Sequence, residues 1–244
     1  MRQPRIYLTE LLLKHSEYLL SKQASQHVSK VLRLKAGDEL TLFDGNGWQI
    51  NAQISKNGGK QTYVQTLDEP QRFPAPAINI HLGLGISKGD RMDYAIQKSV
   101  EAGVNVITPL QTTRTVIKLD EKRTQTRHEH WQGIIINACE QCGQNYLPTL
   151  HTVTPLTHWC QQASDSLKLV FDASATKTLH DLQPQQDIQI VIGPEGGLAQ
   201  EELDVLQKGG FTAVRMGPRV FRSETAAVSA CVMLQTLWGD YRKS

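Results

Sequence analysis

From residue 78 onward the sequence alternates between two rhythms, and this alternation limits the fold more than any other feature. "AINIHLGLGI" reads as a strand. "DRMDYAIQKSVEAG" places Met92, Ala95, Ile96 and Val100 at helical spacing and stops at Gly103. "VNVITPL" is the next strand, followed by a helix near 126–142 and strands in "SLKLVFDAS" and "DIQIVIG". A helix in "AQEELDVLQKGG", ended by Gly209 or Gly210, precedes a strand in "FTAVRMG" and a last helix in "SETAAVSACVMLQTLWGDY". Such alternation implies an α/β fold with a mostly parallel sheet and helices on both faces. Ligands of such sheets bind beyond the carboxyl ends of the strands.

Two unusual turns fall at such ends. "VIGPEGG", 191–197, closes a buried strand with glycines, a proline and one carboxylate. Glycine admits close backbone approach and positive φ, so this loop can offer peptide groups to a ligand. "MGPRVFRSETAA", 216–227, repeats the pattern and adds Arg219 and Arg222 before a helix that Ser223 is expected to cap. Arginines at a strand-end loop suit an anion or the edge of a base. In this helix Ala227, Cys231, Leu234 and Trp238 are expected to face the sheet.

The first 70 residues read differently. Leu40 and Leu42 precede Asp44-Gly45-Asn46-Gly47, and Trp48, Ile50, Ala52 and Ile54 follow, which predicts a hairpin. "TYVQTL" adds a strand, and a short helix is expected within 9–32. The expected organisation is a small β-domain over 1–70, a linker over 71–77 within the proline-bearing "DEPQRFPAPA", and an α/β domain over 78–244.

Bulk properties exclude other classes. The chain has 244 residues, 39% apolar and 20% charged, with net charge +2, as a globular protein with a core requires. No apolar run is long enough to cross a membrane. The N-terminus lacks a secretory pattern, so a cytoplasmic location with reduced thiols at Cys139, Cys142, Cys160 and Cys231 is expected. "GLGISKG" misses the dinucleotide spacing by one residue, and no acidic residue ends the following strand. No phosphate-binding P-loop motif occurs. His128, His130, Cys139 and Cys142 offer zinc ligands, but a shared helix would spread them over more than two turns, so no metal is expected. Positive charge gathers at Arg114, Lys118, Lys122, Arg123 and Arg127, against Asp120 and Glu121. With Arg33 and Lys35 it can form a phosphate-tracking surface that the small net charge hides.

"KGDRMDYAIQKSVEAGVNVITPL", "ACEQCGQ", "VIGPEGG" and "MGPRVFRSETA", in this order and spacing, resemble the SPOUT-superfamily methyltransferases that methylate N3 of a uridine in bacterial 16S ribosomal RNA. "HVSKVLRLKAGDELTLFDGNG" resembles that family's N-terminal PUA-like barrel, so the likeness spans essentially the whole chain. It implies a trefoil-knotted α/β methyltransferase domain, S-adenosylmethionine as cofactor, the small ribosomal subunit as substrate and a homodimer. Around the cofactor it implies Phe171, Asp172, Gly193, Pro194, Glu195, Gly196 and Gly197. Met216, Gly217, Phe221, Arg222 and Thr225 would complete that shell, and Gly196 is expected to leave no room for a Cβ beside the ligand. Toward RNA it implies Arg5, His27, Arg33, Lys35 and Lys88. Arg91, Arg114, Arg123, Gln141 and Gln144 extend that set. One departure is Gln144, where relatives often carry arginine.

N3 of uridine reacts as its anion, so a protein must align the reactants and either take the proton or stabilise the imidate. Arg219 or Arg222 can donate to a uracil carbonyl as charge develops. Glu195 or Glu224 can accept the proton, directly or through water. Two rivals are a SPOUT enzyme acting on transfer RNA and a non-catalytic RNA-binding protein. Intact glycine-proline loops argue against the second.

Overall fold

The computed structural model describes residues 3–115, 121–162 and 164–242. Their contacts divide the chain into two units. The first comprises 1–75 together with 136–147, and the second 76–135 with 148–244.

The first unit is one sheet of short strands: β1 (Arg5–Tyr7), β2 (Glu17–Leu19), β3 (Glu39–Phe43), β4 (Trp48–Asn57), β5 (Thr62–Thr66) and β6 (Gln71–Arg72). Its order is β1-β3-β4-β5-β2, with β6 beside β4. β1 runs parallel to β3, and the other pairs are antiparallel. The expected hairpin is β3–β4. Leu40, Leu42, Ile50, Ala52 and Ile54 point into the core, while Trp48 at the strand start stays 37% exposed under the Arg72 guanidinium. The expected linker over 71–77 opens with strand β6, because Gln71 and Arg72 still find partners on β4. Helix within 9–32 is confined to α1 (Lys22–Gln26) and a π-helical turn, His27–Val31. The Ser21 hydroxyl takes the Ala24 N–H and starts α1 there. Upstream, the Ser16 N–H bonds to Thr66 Oγ1 and ties the chain to the sheet.

Residues 136–147 reach this unit from far along the chain, and the hairpin tip receives them. Gly47 N–H donates to Asn145 O at 3.0 Å, and Leu147 N–H to Gly45 O at 2.9 Å. Both glycines have positive φ, and a Cβ on Gly47 would lie 2.5 Å from the Tyr146 ring. Arg5, only 8% exposed, donates to Gln49 Oε1 at 2.7 Å and to Asn145 Oδ1. Tyr7 N–H donates to Glu140 Oε1 at 3.1 Å. Burial pushes the Glu140 carboxyl up to about 7, against the pull of that N–H and of Arg5. Arg5 is thus a fastener inside the unit and offers no surface for RNA.

The second unit is a seven-stranded sheet in which every pairing is parallel. Its elements are β7 (Asn79–Gly85), α2 (Asp90–Glu101), β8 (Val106–Gln111), the part of α3 (Glu121–Cys142) before residue 136, β9 (Thr149–Leu150), β10 (Thr154–Pro155) and α4 (Leu156–Trp159). β11 (Leu167–Phe171), β12 (Asp187–Ile192), α5 (Gln200–Lys208), β13 (Thr212–Val214) and α6 (Ser223–Trp238) follow. The order β10-β8-β7-β12-β11-β13 puts β7 and β12 at the centre, and their near-continuous apolar runs are buried. Met92, Ala95, Ile96 and Val100 of α2 are buried as the spacing predicts. α6 packs on α2, β7 and β12 through Ala227, Ala230, Cys231 and Leu234, while Trp238 is half-buried. Gly103 ends α2 with φ 84° and accepts Gln235 Nε2 at 3.0 Å on its carbonyl. β9, β10 and α4 are too short to carry a period and were not expected from the pattern. No helix among the described residues is long and apolar enough to cross a membrane.

Candidate active site

A cleft of about 590 Å³ opens where β11, β12 and β13 end. Three strand-end loops build it, after Phe171, Ile192 and Val214. Phe171, Ile192, Leu198, Leu203 and Ala226 supply apolar wall. Gly193, Pro194, Gly196, Gly197, Met216 and Gly217 bring backbone to the surface, and Asp172, Glu195, Arg91, Arg219 and Arg222 bring charge.

The 193–199 loop is held from several sides. Gly85, the last residue of β7, lies under it: a Cβ there would stand 2.5 Å from Pro194 N and 2.6 Å from Pro194 Cδ. This close approach explains why the third residue of "GLGISKG" is glycine. Gly197 has φ 70°, a conformation that favours glycine, and its N–H donates to Pro194 O at 2.8 Å. At the loop's end Glu202, 4% exposed, takes the Ala199 N–H on Oε2 and the Thr113 N–H on Oε1, both at 2.8 Å. A glutamate three residues after Ala199, opening a helix, is the signal that could have revealed it. Arg114 Nη1 donates to Gly196 O at 2.7 Å. A Cβ on Gly196 would meet the Arg114 stem at 3.3 Å, so the direction a side chain would take there is occupied by an arginine, while the Gly196 backbone still lines the cleft.

Glu195 projects from the same loop. Its Oε1 accepts the Lys88 N–H at 3.1 Å and lies 3.5 Å from Arg91 Nη1. Burial raises its carboxyl, but its own N–H, the Lys88 N–H, the Ser87 hydroxyl and the Arg91 charge outweigh that and hold it below the ordinary value. Arg91, expected toward RNA, therefore lines the cleft, and Lys88 contributes a backbone donor beside it.

The 216–222 loop is open. Gly217 has φ 134°, and a Cβ there would meet nothing within 4 Å. Arg219, Val220, Phe221 and Arg222 all line the cleft and stay exposed, Val220 by 83%. Ser223 does not cap α6. Arg222 occupies the cap position with extended backbone, and the Ser223 hydroxyl turns to Ser87 at 3.4 Å and Glu224 at 3.3 Å. Ser223 and Ala226 face the cleft, one turn apart on the helix. Glu224 and Thr225, expected in the site, lie between them in sequence and are not among the residues lining the cleft, though Glu224 Oε2 accepts from the Ser223 hydroxyl at its edge.

The remaining candidates lie elsewhere. His27 is half-buried in the π-helical turn, and Arg33 and Lys35 are exposed just after it. Arg33 has φ 56°, uncommon for a side chain with a Cβ. Arg123 is exposed on α3, Gln141 is exposed and Gln144 half-buried in the 136–147 segment. Lys118 and Asp120 lie outside the described residues. His130 pairs with Asp93 at 2.7 Å, and His128 Nε2 sits 3.2 Å from Leu150 O. The described residues hold no group of three or more His, Cys, Asp or Glu suited to a metal ion.

Comparison with known proteins supplies the context. An RNA methyltransferase domain matches residues 74–235, and an RNA methyltransferase PUA domain matches 20–67. The ribosomal RNA small subunit methyltransferase E of Buchnera aphidicola subsp. Acyrthosiphon pisum is 36% identical over 98% of this chain and 95% of its own. A methyltransferase structure from Legionella pneumophila, solved with bound cofactor SAM, is 38% identical with TM-score 0.95, covering 98% of this chain and 100% of the other. The ribosomal RNA small subunit methyltransferase E of Neisseria gonorrhoeae, bound to S-adenosyl methionine, is 33% identical with TM-score 0.91, over 99% and 100%. Whole-chain coverage, both domain matches and the strand-end cleft agree: the chain belongs to the ribosomal RNA small subunit methyltransferase E family.

Proposed function

We propose that the protein transfers the methyl group of S-adenosylmethionine to N3 of a specific uridine in 16S ribosomal RNA, as part of the small ribosomal subunit. The observation that carries this reading is the cleft: three strand-end loops combine apolar wall with exposed backbone, as a flat heterocycle with a polar ribose requires. S-Adenosylmethionine supplies an electrophilic methyl on a sulfonium. The chain's own residues bind and orient. Phe171, Ile192, Leu198 and Ala226 would cover the base, and the Gly193–Gly197 and Met216–Gly217 backbone would meet polar edges. Asp172 already takes the Ser174 N–H on Oδ1 at 2.8 Å, which fixes its carboxylate at the cleft.

Arg222 and Arg219, on the open loop, are the groups that would stabilise negative charge on a uracil carbonyl as the N3 proton leaves. Glu195 is a poor base, because its neighbours favour the ionised form. Glu224 is outside the cleft lining. We therefore assign proton departure to solvent, with the arginines stabilising the imidate. On this mechanism the single-turnover rate rises with pH toward the uridine N3 pKa, with no inflection from Glu195. A bell-shaped profile centred in the carboxylate range would contradict it.

RNA affinity would come from Arg33 and Lys35 on the first unit and from Lys88, Arg91 and Arg123 on the second. A homodimer belongs to the same reading. The exposed Val220 and Phe221 at the cleft support it, and sedimentation equilibrium tests it. A trefoil knot in the second unit belongs to the same reading. The direct test of function is to treat small subunits lacking the modification with the protein and S-adenosylmethionine. N3-Methylation blocks the pairing edge of uracil, so reverse transcriptase should halt at one cofactor-dependent position in 16S RNA. Label in transfer RNA, or no cofactor-dependent halt, would overturn the reading.

A further inference from the structure

Arg114 follows β8 and, as an exposed cation in a basic stretch, is expected at an RNA phosphate. The geometry points elsewhere: we propose that Arg114 is a positioning residue for the cofactor loop, acting through the Gly196 carbonyl from outside the cleft. This inference rests on the reading that the cleft takes S-adenosylmethionine.

Arg114 touches the loop without belonging to the cleft lining. Its Nη1 donates to Gly196 O at 2.7 Å, within the range of charge-assisted bonds. Its stem packs where a Gly196 side chain would otherwise go. The next N–H along the chain, that of Gly197, donates to Pro194 O at 2.8 Å. Both polar ends of the Gly196–Gly197 peptide are therefore engaged, and its plane cannot turn without losing one of them.

Arg114 is itself aimed by a braced turn. Thr112 N–H donates to Thr115 Oγ1 at 3.0 Å, and the two threonine hydroxyls lie 2.9 Å apart. Thr113 N–H donates to the buried Glu202, whose other oxygen holds Ala199. The stretch from Gly196 to Ala199 is thus pinned at both ends by the same turn, once through Arg114 and once through Glu202. A loop fixed before the ligand arrives spares the ordering cost of binding. Removing the arginine should raise that cost and leave the chemical step alone.

The test compares Arg114→Met, which keeps the stem and removes the donor, with Arg114→Lys, which restores a donor. We expect Arg114→Met to weaken S-adenosylmethionine about five- to tenfold by calorimetry and to raise its KM by the same factor, as loss of one charged hydrogen bond at a partly exposed site implies. kcat at saturating cofactor should stay within about twofold, RNA affinity and its salt slope should not change, and Arg114→Lys should recover most of the loss. Unchanged cofactor affinity with weaker RNA binding and a salt slope flatter by about 0.7–0.9 would make Arg114 a phosphate contact and overturn the inference. Unchanged affinity for both ligands would also overturn it. Failure of the wild-type protein to bind S-adenosylmethionine would instead strike the functional reading, and that is read in the same titration.

Discussion

The two glycine-proline loops of the cleft look alike in sequence and differ in how they are held. Loop 193–199 is fixed by Gly85 beneath it, Glu202 at its end, Arg114 on Gly196 and Lys88 on Glu195. Loop 216–221 makes no hydrogen bond among the described residues; its neighbours Arg215 and Arg222 do, to Lys177 O and from Ala226 N–H. The same Gly-Pro punctuation thus serves two ends. One loop is braced, which on the proposed function makes it a preformed rest for the cofactor. The other carries Arg219 on a stretch without hydrogen bonds among the described residues and ends at Arg222, whose carbonyl opens α6 by accepting the Ala226 N–H. On the proposed function, the difference would give binding to the first loop and charge stabilisation to the second.

The largest expected effect tests the open loop. Arg222→Ala should slow single-turnover methylation about a hundredfold, as loss of one charge-stabilising donor does, with cofactor and RNA affinity within about threefold. A wild-type rate would pass the role to Arg219, and a collapse of affinity would erase the contrast between the loops. Next is the braced loop. Gly85→Ala forces a Cβ against Pro194 backbone, a strain that should weaken cofactor binding about thirtyfold in a protein still folded by circular dichroism. Unchanged binding would mean that the loop yields easily and is not braced. Gly196→Val meets a flexible stem instead of backbone, so calorimetry should show a loss of only about five- to tenfold. A larger loss than at Gly85 would place the ligand against Gly196 after all. The smallest effect lies outside the cleft. Arg33→Gly should relieve positive φ and stabilise the fold by about 1 kcal/mol in urea titration, while the RNA salt slope flattens by about 0.7. A destabilised variant with an unchanged slope would remove Arg33 from the RNA surface.

The sequence carried the strand and helix rhythm of the second unit because its elements are long enough to show a period. Met92, Ala95, Ile96 and Val100 are buried at helical spacing, and β7 and β12 read as near-continuous apolar runs. It carried most of the cleft for a related reason: glycine and proline at the end of a buried strand are visible in one dimension. What it hid depends on contacts between distant segments. Arg5 looks like a surface cation until Gln49 and Asn145 are seen around it. Arg114 looks like a phosphate contact until Gly196 is beside it. Gly85 has no local reason to be glycine, and Pro194 supplies one. Thr225 was expected from the resemblance and Glu224 as a proton acceptor, but it is Ser223 and Ala226, one helical turn apart, that line the cleft.

Amide hydrogen exchange in the free protein and with S-adenosylmethionine tests the contrast most directly. Gly197 N–H and Ala199 N–H, bonded to Pro194 O and Glu202, should be protected before ligand arrives and change little. Gly217, Arg219, Val220 and Phe221 should exchange at nearly unprotected rates in the free protein and slow by at least about tenfold when cofactor binds. Equal protection of the two loops in the free protein, or no slowing at 217–221 with saturating cofactor, would contradict the account.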